Sequence, residues 1–412
     1  MKYTQALENN VPRKKLLTIC NYITDDQFSQ LTKNTTGYGY IVGDIVNGLS
    51  CKFKSTVYTY SGNFKAFKYG KSNVSNNQIK IGIANARLID FYDSLKYLVK
   101  KLKHKKEALR VVYSYLSRGY LSKIIEANDI VHIHGCTPNL IPYIELSIGL
   151  GKKTVVTLHG LNSFSGETKA TSLVRESEKG LLILLKTSRN LTLSVLTPAA
   201  KNIICKYIGE ESRDKISVIP NFINSNFAPQ RLERRKSLEK LVLYVGNLSI
   251  QKNQKSLLKV LRRSWKDYQG QVKFVFIGEV CDNFDEEFQF FKDKVDVVEF
   301  TGHMHRESLV DYYRKASLVV LLSKVEGFGM SIIEGFSAGV PCLINREMEI
   351  SSLLEDESFI TRVDNINDSK EVEAKLGFAL ACDTDCEEIQ AYSKKYTSGA
   401  AIAAYSSLLR LN

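Results

Sequence analysis

Apolar, β-branched runs of strand length alternate with helix-period segments along almost the whole chain, and that rhythm confines the fold to parallel sheets covered by helices. The first half reads as strand over Lys15–Ile23, helix over Tyr38–Leu49 after Gly37, and strands over Thr56–Tyr60 and Gln78–Ala84. It continues with strand Ile130–His134, a helix around Pro142–Ile148, strand Thr154–Leu158, helix Glu176–Lys186, strand Leu191–Leu196, a helix opening at Pro198 and strand Lys215–Ile219. Between Asn221 and Lys240 the period fails, and Pro229 with the charge run Arg231–Lys236 marks a linker. The rhythm restarts with strand Leu241–Val245, helix Asn253–Arg263, strand Val272–Ile277, a helix near Glu286–Lys292 and strand Val297–Phe300. Helix Arg306–Lys315, strand Leu318–Leu322, helix Met330–Ala338 and strand Pro341–Ile344 follow. The expected fold class is α/β, with two Rossmann-like, doubly wound parallel sheets facing an interdomain cleft. The 412 residues leave room for two cores of about 200 residues each. The domains are drawn at 1–225 and 241–385, with a linker at 226–240 and a helical C-terminal segment at 386–412.

Several function classes drop out. No run approaches the ~18 apolar residues that cross a bilayer. Leu16–Cys20 is too short, and too soon followed by Asn21 and Asp25-Asp26, to be the core of a secretion signal. Eight cysteines are scattered with no Cys-x-x-Cys pair, the pattern of a reducing, cytoplasmic compartment. The net charge of +13 is unevenly placed, because residues 1–200 carry +15 and residues 201–412 carry −2. A basic half attracts phosphates, nucleic acid or anionic lipid headgroups.

The stretch from Ser323 to Pro341 carries the most chemical information. It joins a buried strand to a helix through Gly327-Phe328-Gly329, and Met330 opens the helix. Two glycines around one aromatic let backbone approach a ligand, and the unpaired amides at a helix start favour an anion. Glu326 lies in the loop and Glu334 about a turn and a half into the helix, able to face the same cleft. Carboxylates so placed suit hydrogen bonds from the vicinal hydroxyls of a sugar or ribose.

At these residues the chain resembles the retaining GT-B glycosyltransferases of family 4. Their E-x7-E motif falls on Glu326 and Glu334, with Ala338-Gly339-Val340-Pro341 closing the segment. Val218-Ile219-Pro220-Asn221, Val245-Gly246-Asn247-Leu248, Phe276-Ile277-Gly278-Glu279, Phe300-Thr301-Gly302-His303 and Tyr312–Ala316 occur in the family's order. The resemblance implies an N-terminal acceptor domain, a C-terminal nucleotide-sugar domain and a last helix crossing back to the first. It implies that Glu334 holds ribose hydroxyls, Glu326 contacts the sugar ring and Lys252 neutralises the diphosphate. Asn247, Gly302, His303, Gly327, Phe328, Gly329 and Met330 are placed around the same donor. A UDP-sugar is favoured over a GDP-sugar, with no cofactor and no metal. Asn247 stands where the family has an arginine, and an amide supplies neither charge nor a guanidinium fork. In the first half, Thr36–Tyr40 resembles the family's glycine-rich loop, which puts Gly37 and Gly39 near phosphate or acceptor. His159, ending a strand, matches the histidine that contacts the donor sugar; with Lys252 and Glu326 it completes the expected catalytic set.

Other signals point away from rival chemistries. His132 and His134 alternate on one strand, an arrangement that packing and hydrogen bonds satisfy more readily than a metal does. Asp383-Thr384-Asp385 spells a metal-binding motif, but Asp385 with Glu388 reads as a helix cap. No phosphate loop of NTPases and no Gly-x-Ser-x-Gly elbow is present.

Leu88, Phe91, Tyr92, Leu95, Leu98, Val99 and Leu102 recur at helical spacing among Lys96, Lys100, Lys101, Lys103, Lys105, Lys106 and Arg110. This is a basic amphipathic helix, and the resemblance implies docking to an anionic membrane. The expected function is retaining transfer of a hexose to a saccharide or lipid-linked oligosaccharide in bacterial surface polysaccharide synthesis, with the protein cytoplasmic and peripheral on the inner membrane face. A non-catalytic nucleotide-sugar binder and a sugar-nucleotide epimerase are the competing readings. A nucleic-acid binder is the distant one; aromatics interleave with lysines over Tyr58–Lys71, yet no nucleic-acid fold signature occurs and none is expected as partner.

Overall fold

A computed structural model describes residues 13–24, 37–60, 67–76, 83–101, 105–164, 170–223 and 239–411. The first sheet contains β1 (Lys15–Cys20), β2 (Lys54–Thr59), β3 (Phe67–Tyr69), β4 (Ser72–Asn76), β5 (Ile130–His134), β6 (Lys153–Thr157), β7 (Leu191–Val195) and β8 (Ile216–Val218). Their order is β3-β4-β2-β1-β5-β6-β7-β8. All neighbours pair in parallel except β3 and β4, a short antiparallel edge. Every residue of β5 is buried because helices cover both faces, which is why its sequence does not alternate with polar positions.

Helices α1 (Gly37–Ser50), α2 (Leu88–Lys100), α3 (Lys105–Leu116), α4 (Arg118–Glu126), α5 (Ile141–Gly149), α6 (Ser172–Thr187) and α7 (Pro198–Ile208) flank this sheet. Two of them start where local chemistry dictates. Thr171 and Thr197 cap α6 and α7 by accepting from the amides of Val174 and Ala200, and Pro198 fills the first position of α7.

The second sheet contains β9 (Lys240–Val245), β10 (Val272–Ile277), β11 (Val298–Gly302), β12 (Leu318–Leu321), β13 (Cys342–Asn345) and β14 (Ile360–Val363). Its order, β11-β10-β9-β12-β13-β14, is wholly parallel and reverses direction between β9 and β12. Such a switch point opens a crevice at the strands' carboxyl ends. Helices α8 (Gln254–Tyr268), α9 (Asp285–Phe291), α10 (Arg306–Lys315), α11 (Met330–Ser337), α12 (Ser369–Ala381) and α13 (Cys386–Ser393) surround it. Phe276 stacks between Tyr244 and Phe300 at centroid distances of 5.7 and 5.3 Å, tying three adjacent strands through their side chains.

The last helix, α14 (Ser398–Arg410), returns to the first sheet. Tyr405, Leu408 and Leu409 are buried there with Ile41, Ile45, Phe53 and Val57. Ile223 donates its amide to the Tyr396 carbonyl at 2.8 Å, so the chain leaving the first sheet and the chain coming back run side by side.

Some sequence expectations land differently. Residues 77–82 of the strand expected at Gln78–Ala84 lie outside the described residues, while Ile83 and Ala84 are helical. Most of the expected linker, 224–238, also lies outside them. β3, β4, α4, β14 and α12 are additions that the sequence reading did not contain. The basic amphipathic segment is two helices, α2 and α3, packed on each other. Asp385 does cap α13, through the amide of Glu387 at 2.8 Å.

Candidate active site

The carboxyl ends of both sheets open onto one cleft, which holds two adjoining cavities. The smaller, about 410 Å³, lies over the switch point of the second sheet and is lined by Gly246, Asn247, Lys252, Phe328, Met330 and Glu334 among others. The larger, about 700 Å³, lies against the first sheet, beyond Asn21 at the end of β1, Gly135 after β5 and Leu158 after β6. Tyr38, His159 and Glu326 line both. A group passing from one cavity to the other passes these three side chains.

The loop between β12 and α11 brings the second sheet to that junction. Gly329 takes φ +78° as the N-cap of α11, a left-handed conformation that lets the chain turn into the helix. At Gly327 the approach is closer still, because a Cβ there would stand 2.3 Å from the His159 carbonyl oxygen. The two halves meet backbone to backbone. The ring of Phe328 is 3% exposed and packs edge-on against Tyr396, so its backbone, not its side chain, is what the site can use.

One ion pair and one hydrogen-bonded carboxyl set the electrostatics of the smaller cavity. Lys252 Nζ contacts the Glu326 carboxylate. Glu334, on the first turns of α11, accepts from the Tyr313 hydroxyl at 2.9 Å. Burial raises the Glu334 carboxyl above the usual carboxylate range, while Arg306 and the Tyr313 bond pull it back. The amides at the start of α11 face the same space, a natural place for a phosphate. Asn247 offers no charge here: its Oδ1 accepts the Glu279 amide at 3.3 Å, and its backbone carbonyl accepts from Gln254 at 3.0 Å. It holds the ends of β9 and β10 together.

On the first sheet, three histidines cluster. His132 Nε2 bonds Thr157 Oγ1 at 2.8 Å, and His134 Nδ1 bonds His159 Nε2 at 3.1 Å. Burial lowers His132 to about 3 and His159 to about 4, and lowers His134 as well, so all three are neutral at pH 7. His159 Nδ1 is buried without a hydrogen-bond partner, so neither ring nitrogen opens onto a cavity in this state. Tyr38 packs edge-on against His159 at 5.0 Å and donates its hydroxyl to the His134 carbonyl at 2.9 Å. In the larger cavity, Asn21 donates to Thr137 Oγ1 at 3.0 Å and accepts from Asn139 at 2.8 Å, presenting neutral polar groups. Glu349, raised by burial to about 7, accepts from Thr197 Oγ1 at 3.3 Å and bridges the two halves.

The cleft therefore gathers Lys252, Asn247, His303, Glu326, Phe328, Gly329, Met330, Glu334 and Gly37 around the smaller cavity, with His159 at the junction. Gly327 lines the larger cavity instead. Gly302 lines neither; it ends β11, and its carbonyl accepts from the Gly278 amide at 2.9 Å. Gly39 also stands back, inside α1, where its carbonyl accepts from Thr24 at 3.1 Å; the expected glycine loop is the first turn of a helix. Tyr38, Tyr40 and Arg306 were missed by the sequence reading. Arg306 had one signal, a cation in the first turn of a helix, where the macrodipole disfavours it.

Among the described residues, none of the basic segment lines either cavity. On α2 only Asp90 and Ser94 are buried, while Leu88, Tyr92, Leu95 and Val99 are 60–90% exposed. Lys96, Lys100 and Arg110 are exposed, and Lys101 is paired with Glu176. Lys103 lies outside the described residues, as do the side chains of Lys105 and Lys106.

Comparison with known proteins matches residues 98–227 to the model "Glycosyltransferase Family 4" and residues 229–396 to "Glycosyl transferases group 1". An uncharacterised glycosyltransferase of Methanocaldococcus jannaschii is 24% identical over 184 residues, 42% of this chain and 47% of that protein. Mannosylfructose-phosphate synthase of Agrobacterium fabrum is 28% identical over 168 residues, 36% of each. The matches thus span less than half the length of these two relatives. The structure of Anabaena HepE in complex with UDP and glucose superposes with a TM-score of 0.65 at 15% identity, covering 96% of this chain and 99% of that one, a likeness of fold. With both sheets matched by GT-B architecture and most of the chain matched by the two family models, this protein belongs to the family 4, group 1 glycosyltransferases.

Proposed function

We propose that the protein transfers a hexose from a UDP-sugar to a hydroxyl of a saccharide or lipid-linked oligosaccharide, retaining the anomeric configuration, in bacterial surface polysaccharide assembly. The observation that carries this reading is the pair of adjoining cavities sharing Tyr38, His159 and Glu326. The smaller cavity suits the donor and the larger the acceptor. Ionised Glu334 accepts from the two ribose hydroxyls. The diphosphate lies at the amides of residues 328–330, with Lys252 adding charge, so no metal step is assigned. Glu326 faces the sugar ring at the junction. His159 reaches a sugar hydroxyl once its ring turns from His134. The bond between the anomeric carbon and the leaving phosphate oxygen breaks as the acceptor oxygen bonds that carbon from the same face. The acceptor's proton passes to the leaving diphosphate. The UDP and glucose in the HepE complex support a nucleotide-sugar donor.

The exposed apolar face of α2 and its lysines dock the acceptor half on the anionic inner face of the cytoplasmic membrane, bringing the cleft to a lipid-linked acceptor. The test is UDP release from UDP-hexoses with lipid-linked saccharide fractions, followed by NMR of the product's anomeric proton. Retention is expected, with Glu326→Gln slowing turnover by about 10²-fold. An inverted product contradicts the mechanism.

A further inference from the structure

Arg306 is the first residue of α10, where a positive charge opposes the helix dipole. What holds it there comes from the other half of the molecule. Its guanidinium donates to Asp44 Oδ2 at 3.1 Å and lies over the Tyr40 ring at 5.0 Å. Tyr40 and Asp44 are four residues apart on α1 and so share one helix face. The ion pair is largely shielded, with the two side chains 11% and 19% exposed, so solvent screens it weakly.

Arg306 and Tyr40 also line the smaller cavity with Glu334, whereas Asp44 does not line it. Among the described lining residues, the lysine and arginine side chains are Lys252 and Arg306, and Lys252 is already paired with Glu326. A nucleoside diphosphate brings two or more negative charges, and Asn247 contributes no cation. We infer that Arg306 is a second donor-binding cation of the smaller cavity and that Asp44, on the facing half, is its positioning residue. The nearby positive charge also favours the ionised form of Glu334, the form that accepts two hydroxyls. Donor binding and the meeting of α1 with α10 are then one linked event, because the same guanidinium serves both. This inference rests on the donor-site reading above.

Isothermal titration of UDP into the full-length protein and its variants tests it. Arg306→Ala raises Kd about tenfold or more, and Arg306→Lys recovers part of the loss, since charge returns without the planar fork. Asp44→Asn, outside the cavity, raises Kd severalfold, and Arg306→Ala costs less in that background than in the wild type, because the two act through one contact. Wild-type affinity in folded Arg306→Ala, or additive effects of the two substitutions, overturns the inference while leaving the donor site intact. Should Arg306→Ala not fold, Arg306→Lys and Asp44→Asn decide alone, and unchanged Kd in both overturns it. A wild type that binds no nucleotide overturns the donor-site reading as well.

Discussion

At Gly327 a single methyl group would collide with the opposite half of the protein, 2.3 Å from the His159 carbonyl oxygen. Gly327→Ala therefore pushes apart the residues that both cavities share, and a shift near 1 Å costs about 10²-fold in turnover. Steady-state kinetics beside a thermal melt checks this: turnover falls by that factor at temperatures below the variant's own melting transition, and wild-type turnover there contradicts the contact. Glu326 and Glu334 were legible from sequence because loop and helix fix their spacing locally. The pairing of His159 with His134, 25 residues away, was not, because it depends on β5 and β6 lying side by side. That pair also has a proton count. Two neutral imidazoles sharing one hydrogen bond leave one N–H over, at His134 Nε2 or His159 Nδ1, both buried and unpartnered. A turn of the His159 ring toward a donor hydroxyl satisfies the His159 ring but gives up its bond to His134.

Among the elements, α2 is the one that turns its apolar positions outward, as the docking helix expected from the sequence would, while Asp90 and Ser94 are buried. The cause lies outside the helix. Asp90 is held by Arg87 at 3.0 Å and approached by Arg118 at 3.8 Å, and Arg118 also binds Asp93 at 2.7 Å. A guanidinium from α4 thus turns the helix over, and nothing in the local sequence announces it. The outward face then carries Leu88, Tyr92, Leu95 and Val99 in water. Leu95→Glu with Val99→Glu leaves the fold intact, since neither side chain is buried. Co-sedimentation with phosphatidylglycerol-containing vesicles should drop about tenfold or more for the pair, from lost apolar insertion and added negative charge. Binding equal to wild type removes α2 as the docking element. The β/α alternation, by contrast, was legible almost strand by strand, because parallel strands buried on both faces write themselves as apolar runs. α14 was foreseen only through family resemblance. Its partners on α1 and β2 lie more than 300 residues earlier, beyond the reach of any local pattern.

For the molecule as a whole, the buried histidines and Glu349 make stability depend on pH with opposite signs. His132, His134 and His159 have folded values below 6.5, so the unfolded chain binds more protons once the pH drops below about 6.5. Their contribution is full above that pH and is lost as pH falls toward 4, at up to ~1.4 kcal/mol per pH unit for each histidine. Glu349, raised to about 7, contributes fully below about 4.5 and loses its contribution as pH rises through 7. Glu334 and Glu145 are raised by burial in the same sense as Glu349, but Arg306 and Arg118 hold them back, so the three histidines outweigh the carboxyls below pH 6.5. Urea denaturation at pH 5.5 should show a lower midpoint than at pH 7, and His132→Phe should flatten that slope; equal midpoints contradict the buried neutral cluster. The uneven charge follows the same division of labour. The half carrying α2 holds the +15, while the half carrying Glu334 is close to neutral and makes its anion site from a helix start and a few placed cations.

On the donor-site reading, the smaller cavity binds a nucleotide sugar through Glu334. Titration calorimetry against UDP-, GDP-, ADP- and CDP-sugars, with Glu334→Ala in parallel, distinguishes this from its alternatives. The expected result is binding of a UDP-sugar by the wild type, weakened about tenfold or more by Glu334→Ala as two ribose hydroxyls lose a charged partner. Equal binding by the folded variant, or no binding of any nucleotide sugar by the wild type, contradicts the assignment.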